Sequence, residues 1–236
     1  MLLDGAHLID EALGADVHVL EAAITTDGPE VAALAARLRQ HHVPVAVVSA
    51  AVMQALSPVR SASPIVAIAE ARPATDSHAY RGTPLVMMAV DIQDPGNMGA
   101  FVRVAEAGGA TGVVCAGACA NPFGWKALRG SMGSALRLPI LIRQDPAGAI
   151  AEARRHGCRI VAAAPRGGRP IYDADLRGPT AILIGGEGPG LSPSQLAAAD
   201  DRVVIPMQAP VESLNVAVTA ALFVYEARRQ RELAVS

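Results

Sequence analysis

Two apolar rhythms alternate along the chain. In AHLIDEALGA (6–15) and PEVAALAARLRQHH (29–42) apolar residues recur at helical spacing, the second opening on a Pro suited to a first helical turn. AAVMQALS (50–57) reads as a further helix, and VHVL (17–20), VPVAVVS (43–49) and PIVAIAE (64–70) read as strands. The next stretch, ARPATDSHAYRGTP, has two prolines, a glycine and no apolar period. It predicts a linker over 73–82 between a first domain, 1–72, and a second, 83–236.

In the second part the strands are apolar without alternation: PLVMMAV, TGVVCA, LPILIR, CRIVAAA, TAILIGG and RVVIPM. Between them lie helical segments such as NMGAFVRVAEAGG, PAGAIAEARRHG and SPSQLAAAD. Evenly apolar strands separated by amphipathic helices predict a parallel sheet covered on both faces, an α/β fold. A long final helix follows, SLNVAVTAALFVYEARRQREL, with Leu214, Val218, Ala221, Leu222 and Tyr225 on one face. Basic residues crowd its end, where they suit the helix dipole.

Composition narrows the class. Hydrophobic residues make up 51% of 236 and aromatics only 3%, so the core must be built largely of Ala, Val, Leu and Ile. No basic segment precedes an apolar one at the start, and no apolar run is long enough to span a bilayer, so a cytoplasmic protein without membrane contact is expected. Cys115, Cys119 and Cys158 are odd in number and lack C-x-x-C spacing, as expected of reduced, buried thiols. Net charge is −2, but residues 1–72 hold eight acids and four arginines while 73–236 hold fourteen acids and sixteen bases. A polyanion would prefer the second part.

Chemistry concentrates in three loops that follow strands: DPGN (94–97), GGEGPGLS (185–192) and IPMQAPVESLN (205–215). Ligands of parallel sheets collect at such strand ends. Gly185, Gly186, Gly188 and Gly190 would let backbone approach a ligand, or would simply make a tight turn. A dinucleotide fingerprint fits poorly, because it belongs after a first strand and Glu187 and Pro189 interrupt the turn. Glu187 after so apolar a strand calls for a partner, with Arg103 and Arg129 as candidates, unless it caps a helix or is solvated. Asn97 is either an N-cap or a substrate contact. Ser213 stands where an N-cap is expected, and Asn215 either supports a turn or faces the site. His41, His42 and His156 fall at helix ends. No His or Cys cluster suggests a metal, and no Ser-His-Asp set can be assembled.

Taken together, DPGNMGAFVRVAEAGGATGVV, AILIGGEGPGLS and VVIPMQAPVESLNVAVTAALFVYEARRQ resemble the three motifs of the SpoU/TrmH family of RNA ribose 2′-O-methyltransferases, in the SPOUT superfamily. KALRGSMGSALRLPI (126–140) is similar to the segment before that family's next strand. The first part resembles its small α/β substrate-binding domain, akin to a ribosomal protein, with Asp4 where Glu is usual. The resemblance covers nearly the whole chain. It implies a trefoil knot from about residue 181 onward, against the usual rule of un-knotted chains, and a homodimer packed through the knot helices. It implies S-adenosylmethionine as methyl donor, with Gly185, Ile205 and Leu214 lining its site, then Gly186, Met207 and Ser213, and no metal. Asn97 and Arg103 would face the nucleotide, Glu187 would hold one of them, and Ser213 and Asn215 would shape the third loop. The substrate implied is RNA, ribosomal RNA ahead of tRNA. A non-catalytic RNA-binding or ribosome-assembly protein of the same fold is the alternative. A guanidinium is a poor base, which favours Arg103 as a phosphate clamp that stabilises the alkoxide.

Overall fold

The structure is a computed structural model that describes residues 1–25, 28–59, 61–71 and 74–233. Arg72 and Pro73, at the expected domain end and linker start, lie outside the described residues, as do 234–236 of the expected second domain.

The first part forms β1 (Leu2–Asp4), α1 (Ala6–Gly14), β2 (Val19–Ile24), α2 (Pro29–Gln40), β3 (Val45–Val47), α3 (Ala50–Leu56) and β4 (Ile65–Ala69). Its four strands order as β1-β4-β2-β3, with β4 antiparallel to both neighbours and β2 parallel to β3. The predicted elements are all present. β1 was not foreseen, being only three residues long.

Within 73–82 the chain is not all irregular. It makes one helical turn, α4 (Asp76–Ala79), and buries Ala79 and Tyr80 against the second sheet. The remainder runs β5 (Leu85–Val90), α5 (Pro95–Ala107), β6 (Gly112–Ala116), α6 (Trp125–Ser131), α7 (Ser134–Arg137), β7 (Ile140–Arg143), α8 (Pro146–Arg155), β8 (Arg159–Ala163), β9 (Arg169–Pro170), a 3-10 turn (Ile171–Asp173), β10 (Thr180–Gly185), α9 (Pro193–Ala197), β11 (Asp201–Val204) and α10 (Val216–Leu233). Its seven strands are all parallel, in the order β7-β6-β5-β10-β8-β11-β9. The unbroken apolar runs are explained by burial on both faces. Leu85, Met87 and Ala89 of β5 pack into one core with α5, α6 and α10, while Val86, Met88 and Val90 pack into the other with α4 and α8. The first core continues into the four-stranded sheet through Leu3, Ile9 and Leu38.

Strand β10 inserts between β5 and β8, so order reverses there, and the carboxyl ends of β10, β8 and β11 open on one crevice, as at a topological switch point. Helix α10 spans the sheet beneath it. At its far end Arg231 donates to the carbonyls of Thr83, Pro84, Leu176 and Gly178, and Gln230 bonds Ala174 and Leu176. Cys115 and Cys158 are buried and all three cysteines are free; burial pushes the Cys158 thiol up to about 11.

Which face of α10 is buried differs from the grouping read in the sequence. Val216, Ala220, Phe223, Val224 and Ala227 face the core, whereas Val218, Leu222 and Tyr225 stay 48%, 43% and 49% exposed. Both sides of this helix are apolar, so periodicity alone could not choose between them.

Candidate active site

Helix α5 starts where it does because Asp94, not Asn97, caps it. The Asp94 carboxylate accepts the Asn97 backbone N–H at 2.7 Å, and Pro95 takes the first turn without loss of a needed donor. The Asn97 side chain is thereby free to project. Its Nδ2 donates to Glu187 Oε1, and its Oδ1 accepts from Asn215 Nδ2 at 2.9 Å. Asn215 in turn caps α10, accepting the Ala217 N–H at 2.9 Å. Ser213 does not cap, since the helix begins at Val216. Three loops from three parts of the chain thus meet in one hydrogen-bonded line, Glu187–Asn97–Asn215.

By charge alone Glu187 called for an arginine, while the resemblance had it hold Asn97 or Arg103; the structure pairs it with Asn97. Arg129 turns to the first part of the chain, where its Nη1 lies 3.6 Å from the buried carboxylate of Asp4. Arg103 is exposed and has no hydrogen-bond or ion-pair partner among the described residues. It is left as a free cation on the helix that carries Asn97.

Gly186 explains how Glu187 reaches Asn97. A Cβ there would lie 2.2 Å from the Asp91 carbonyl oxygen, and its N–H bonds Val90 at 2.8 Å. The chain leaving β10 therefore lies against the chain leaving β5 at a distance only glycine permits. At Gly185 a Cβ would meet the Gly190–Leu191 backbone at 2.5 Å. In both cases the space a side chain would need is filled by protein backbone. Gly188 and Gly190 have open space but positive φ, 94° and 65°, so there it is the turn that requires glycine.

Beside this line lies a cavity of about 740 Å³, within the range of small-molecule sites. Gly185, Gly186, Ile205, Met207, Ser213 and Leu214 all line it, as do Glu187 and Asn215. Arg103 and Asn97 do not; Asn97 reaches the wall only through its two partners. Apolar surface comes from Ile184, Val216 and Phe223, while the N–H groups of Ile205, Met207 and Leu214 have no acceptor among the described residues. An apolar slot edged by free backbone donors suits an adenine ring and its polar edge. One ion pair escaped the sequence reading: Arg166, in the loop after β8, donates to Glu212 at 2.5 Å, and both line the cavity while staying about three-quarters exposed. The strand-end rule applied to β8 would have found that loop. Among the described residues no group of His, Cys, Asp or Glu could hold a metal ion.

Strand-end loops of a parallel sheet around one cavity define an α/β protein with its ligand site at the carboxyl ends of the strands. Comparison gives the family. The model of the SpoU rRNA Methylase family matches residues 84–225. A 23S rRNA (guanosine(2553)-2′-O)-methyltransferase from Bacillus subtilis is 34% identical over 143 residues, which are 61% of this chain and 57% of that protein's length. The SpoU methyltransferase AviRb from Streptomyces viridochromogenes, solved in complex with the cofactor AdoMet, superposes with a TM-score of 0.87 at 28% identity, over 99% of this chain and 91% of its own. An AdoMet-bound rRNA methyltransferase from Sinorhizobium meliloti superposes at 0.84 and 27% identity, over 97% and 86%. The chain belongs to the SpoU rRNA methylase family.

Proposed function

We infer that the protein transfers the methyl group of S-adenosylmethionine to a ribose 2′-hydroxyl of RNA, with ribosomal RNA favoured over tRNA. The observation that carries this reading is the Glu187–Asn97–Asn215 line on the wall of a cavity that fits the donor. The superposition of nearly the whole chain, first part included, on an rRNA methyltransferase favours the ribosomal target.

S-adenosylmethionine supplies a methyl group on a sulfonium, a leaving group that needs no further activation. Ile205, Met207 and Leu214 hold it through backbone N–H groups, and Gly185, Gly186 and Ser213 form the adjoining wall. What remains for the protein is to orient the ribose and stabilise the oxyanion as its proton passes to the neighbouring phosphate or to water, the donor leaving as its neutral thioether. Asn97, fixed at both ends of its amide, orients the nucleotide. Arg103, unpaired and exposed, clamps a phosphate of the substrate and stabilises the alkoxide.

Residues 1–72 act as a substrate-binding domain and 83–236 as the catalytic domain, with 73–82 joining them. β10 entering between β5 and β8 and the return of the chain through α10 are what a trefoil knot would use. The exposed apolar stripe Val218, Leu222, Tyr225 on α10 suits a homodimer interface. Action on ribosomal RNA fits a cytoplasmic protein, and among the described residues no helix is long and apolar enough to cross a membrane.

The test is transfer of label from S-adenosylmethionine to ribosomal RNA and tRNA, followed by mapping of ribose methylation. A single modified ribose in ribosomal RNA is expected. Donor binding with no methylated ribose in either RNA would overturn the reading in favour of a non-catalytic RNA-binding protein.

A further inference from the structure

The chain contains one tryptophan and one lysine among its 236 residues, and they are neighbours, Trp125 and Lys126, at the start of α6. All other fixed positive side chains are arginines, and most of these are committed to carboxylates or carbonyls. Lys126 is exposed and has no carboxylate partner among the described residues; its Nζ sits 5.4 Å from the centroid of the Trp125 ring. The indole itself is only partly buried. In a protein so poor in aromatics, an indole left at the surface under a free ammonium is not explained by the core.

The place of this pair in the fold ties it to the candidate active site. Helices α5 and α6 touch backbone to backbone: a Cβ on Gly99 would lie 2.3 Å from the Ala127 carbonyl oxygen and 2.9 Å from Gly130 Cα. A Cβ on Gly130 would in turn lie 3.3 Å from the Gly96 carbonyl oxygen, so α6 crosses α5 in the opposite sense and its start, with Trp125 and Lys126, lies toward the part of α5 that follows Gly99. Arg103 follows Gly99 by one turn on the same side of α5. The unpaired cations Arg103 and Lys126 and the surface indole therefore stand on two helices held in fixed relation, one of which carries Asn97 at its head.

We propose that Trp125 and Lys126 bind the RNA strand next to the target nucleotide, an unpaired base stacking on the indole while the Lys126 ammonium turns from the ring to the adjoining phosphate. Base–aromatic stacking accepts any base and unpaired cations take phosphate, so the ridge recognises single-stranded RNA without reading its sequence. The inference rests on the RNA-methylating reading above and adds the residues that hold the strand.

Because Trp125 is the only tryptophan, its fluorescence reports on this site alone. Titration of the full chain with a short unstructured oligoribonucleotide should quench that emission in step with binding followed by anisotropy of the labelled strand. Trp125→Ala should weaken binding by about tenfold, within the range for one base–aromatic stack, while Trp125→Phe stays near wild type. Lys126→Gln should lower the salt slope of log affinity by about 0.7, the value for one phosphate on a single strand. All three variants should bind S-adenosylmethionine as wild type does, which shows that the fold is intact. Salt-dependent RNA binding that leaves the emission unchanged and is equal in Trp125→Ala overturns this site and leaves the methyltransferase reading standing. A wild-type protein that binds S-adenosylmethionine but no RNA overturns both.

Discussion

Glu187 and Asn215 grip opposite ends of the Asn97 amide, and removing each contact should slow catalysis by an amount set by its hydrogen bond. The bond from Asn97 Nδ2 goes to a carboxylate, and the bond from Asn215 to Asn97 is neutral at 2.9 Å. Both are solvent-accessible, so the lower part of the usual range applies: about 1.5 kcal/mol for the charged bond and about 1 kcal/mol for the neutral one. If these bonds act only by orienting Asn97, Glu187→Ala should slow methyl transfer about tenfold, and Asn97→Ala, which loses both, about 70-fold. Glu187→Gln keeps an acceptor of roughly half the strength, and should cost about threefold. The decisive variant is the double one. Asn97→Ala with Glu187→Ala should be no slower than Asn97→Ala alone, because the carboxylate has nothing left to hold. Single-turnover transfer of labelled methyl to RNA gives the rates, and calorimetry checks that donor affinity is unchanged. Multiplying effects in the double variant would refute the shared role and give Glu187 a separate task.

Gly186→Ala should destabilise the protein by roughly 2–4 kcal/mol, since its Cβ would collide with the Asp91 carbonyl, whereas Gly188→Ala meets no atom and should cost only about 1–2 kcal/mol of backbone strain; thermal unfolding that ranks the two the other way would contradict the close packing of Gly186 on the chain after β5. Arg103→Ala should abolish turnover with donor affinity unchanged, and Arg103→Lys should not recover at raised pH, because an ammonium that deprotonates still lacks the bidentate fork; recovery at high pH would make this residue a base and not a clamp. Val218→Asp with Leu222→Asp, on the exposed side of α10, should leave the fold intact but turn a homodimer into monomers by sedimentation; a wild-type monomer that still methylates RNA would remove the interface.

The sheet was legible in the sequence because burial on both faces leaves strands with no polar alternation, a pattern few other structures produce. The loops were legible for a related reason. Turn-formers and a carboxylate set directly after so apolar a strand mark a place where the chain stops serving the core. What could not be read was which groups pair. Asp94 and Asn97 are both good capping types three residues apart, and only the fold shows that the first caps while the second reaches outward. Glu187 asked for a cation by charge alone, yet the close approach of Gly186 to the chain after β5 brings it to the head of α5, with its amide, and not to the later turn with its guanidinium. α6 and α7 were passed over because Gly130 and Gly133 interrupt the stretch and α7 is only four residues long.

Helix α10 shows why a single amphipathic pattern misleads here. Its inner side fills the core with Ala220, Phe223 and Val224, and its first turn is capped by Asn215, the residue that also holds Asn97. Its last turn is pinned by Arg231 to four backbone carbonyls at the opposite end of the sheet. A helix fixed at both ends cannot roll to hide Val218, Leu222 and Tyr225. Rotation that covered them would break the Asn215–Asn97 bond at one end and strand four carbonyls at the other. The exposed stripe is therefore held outward by the same contacts that set the candidate active site.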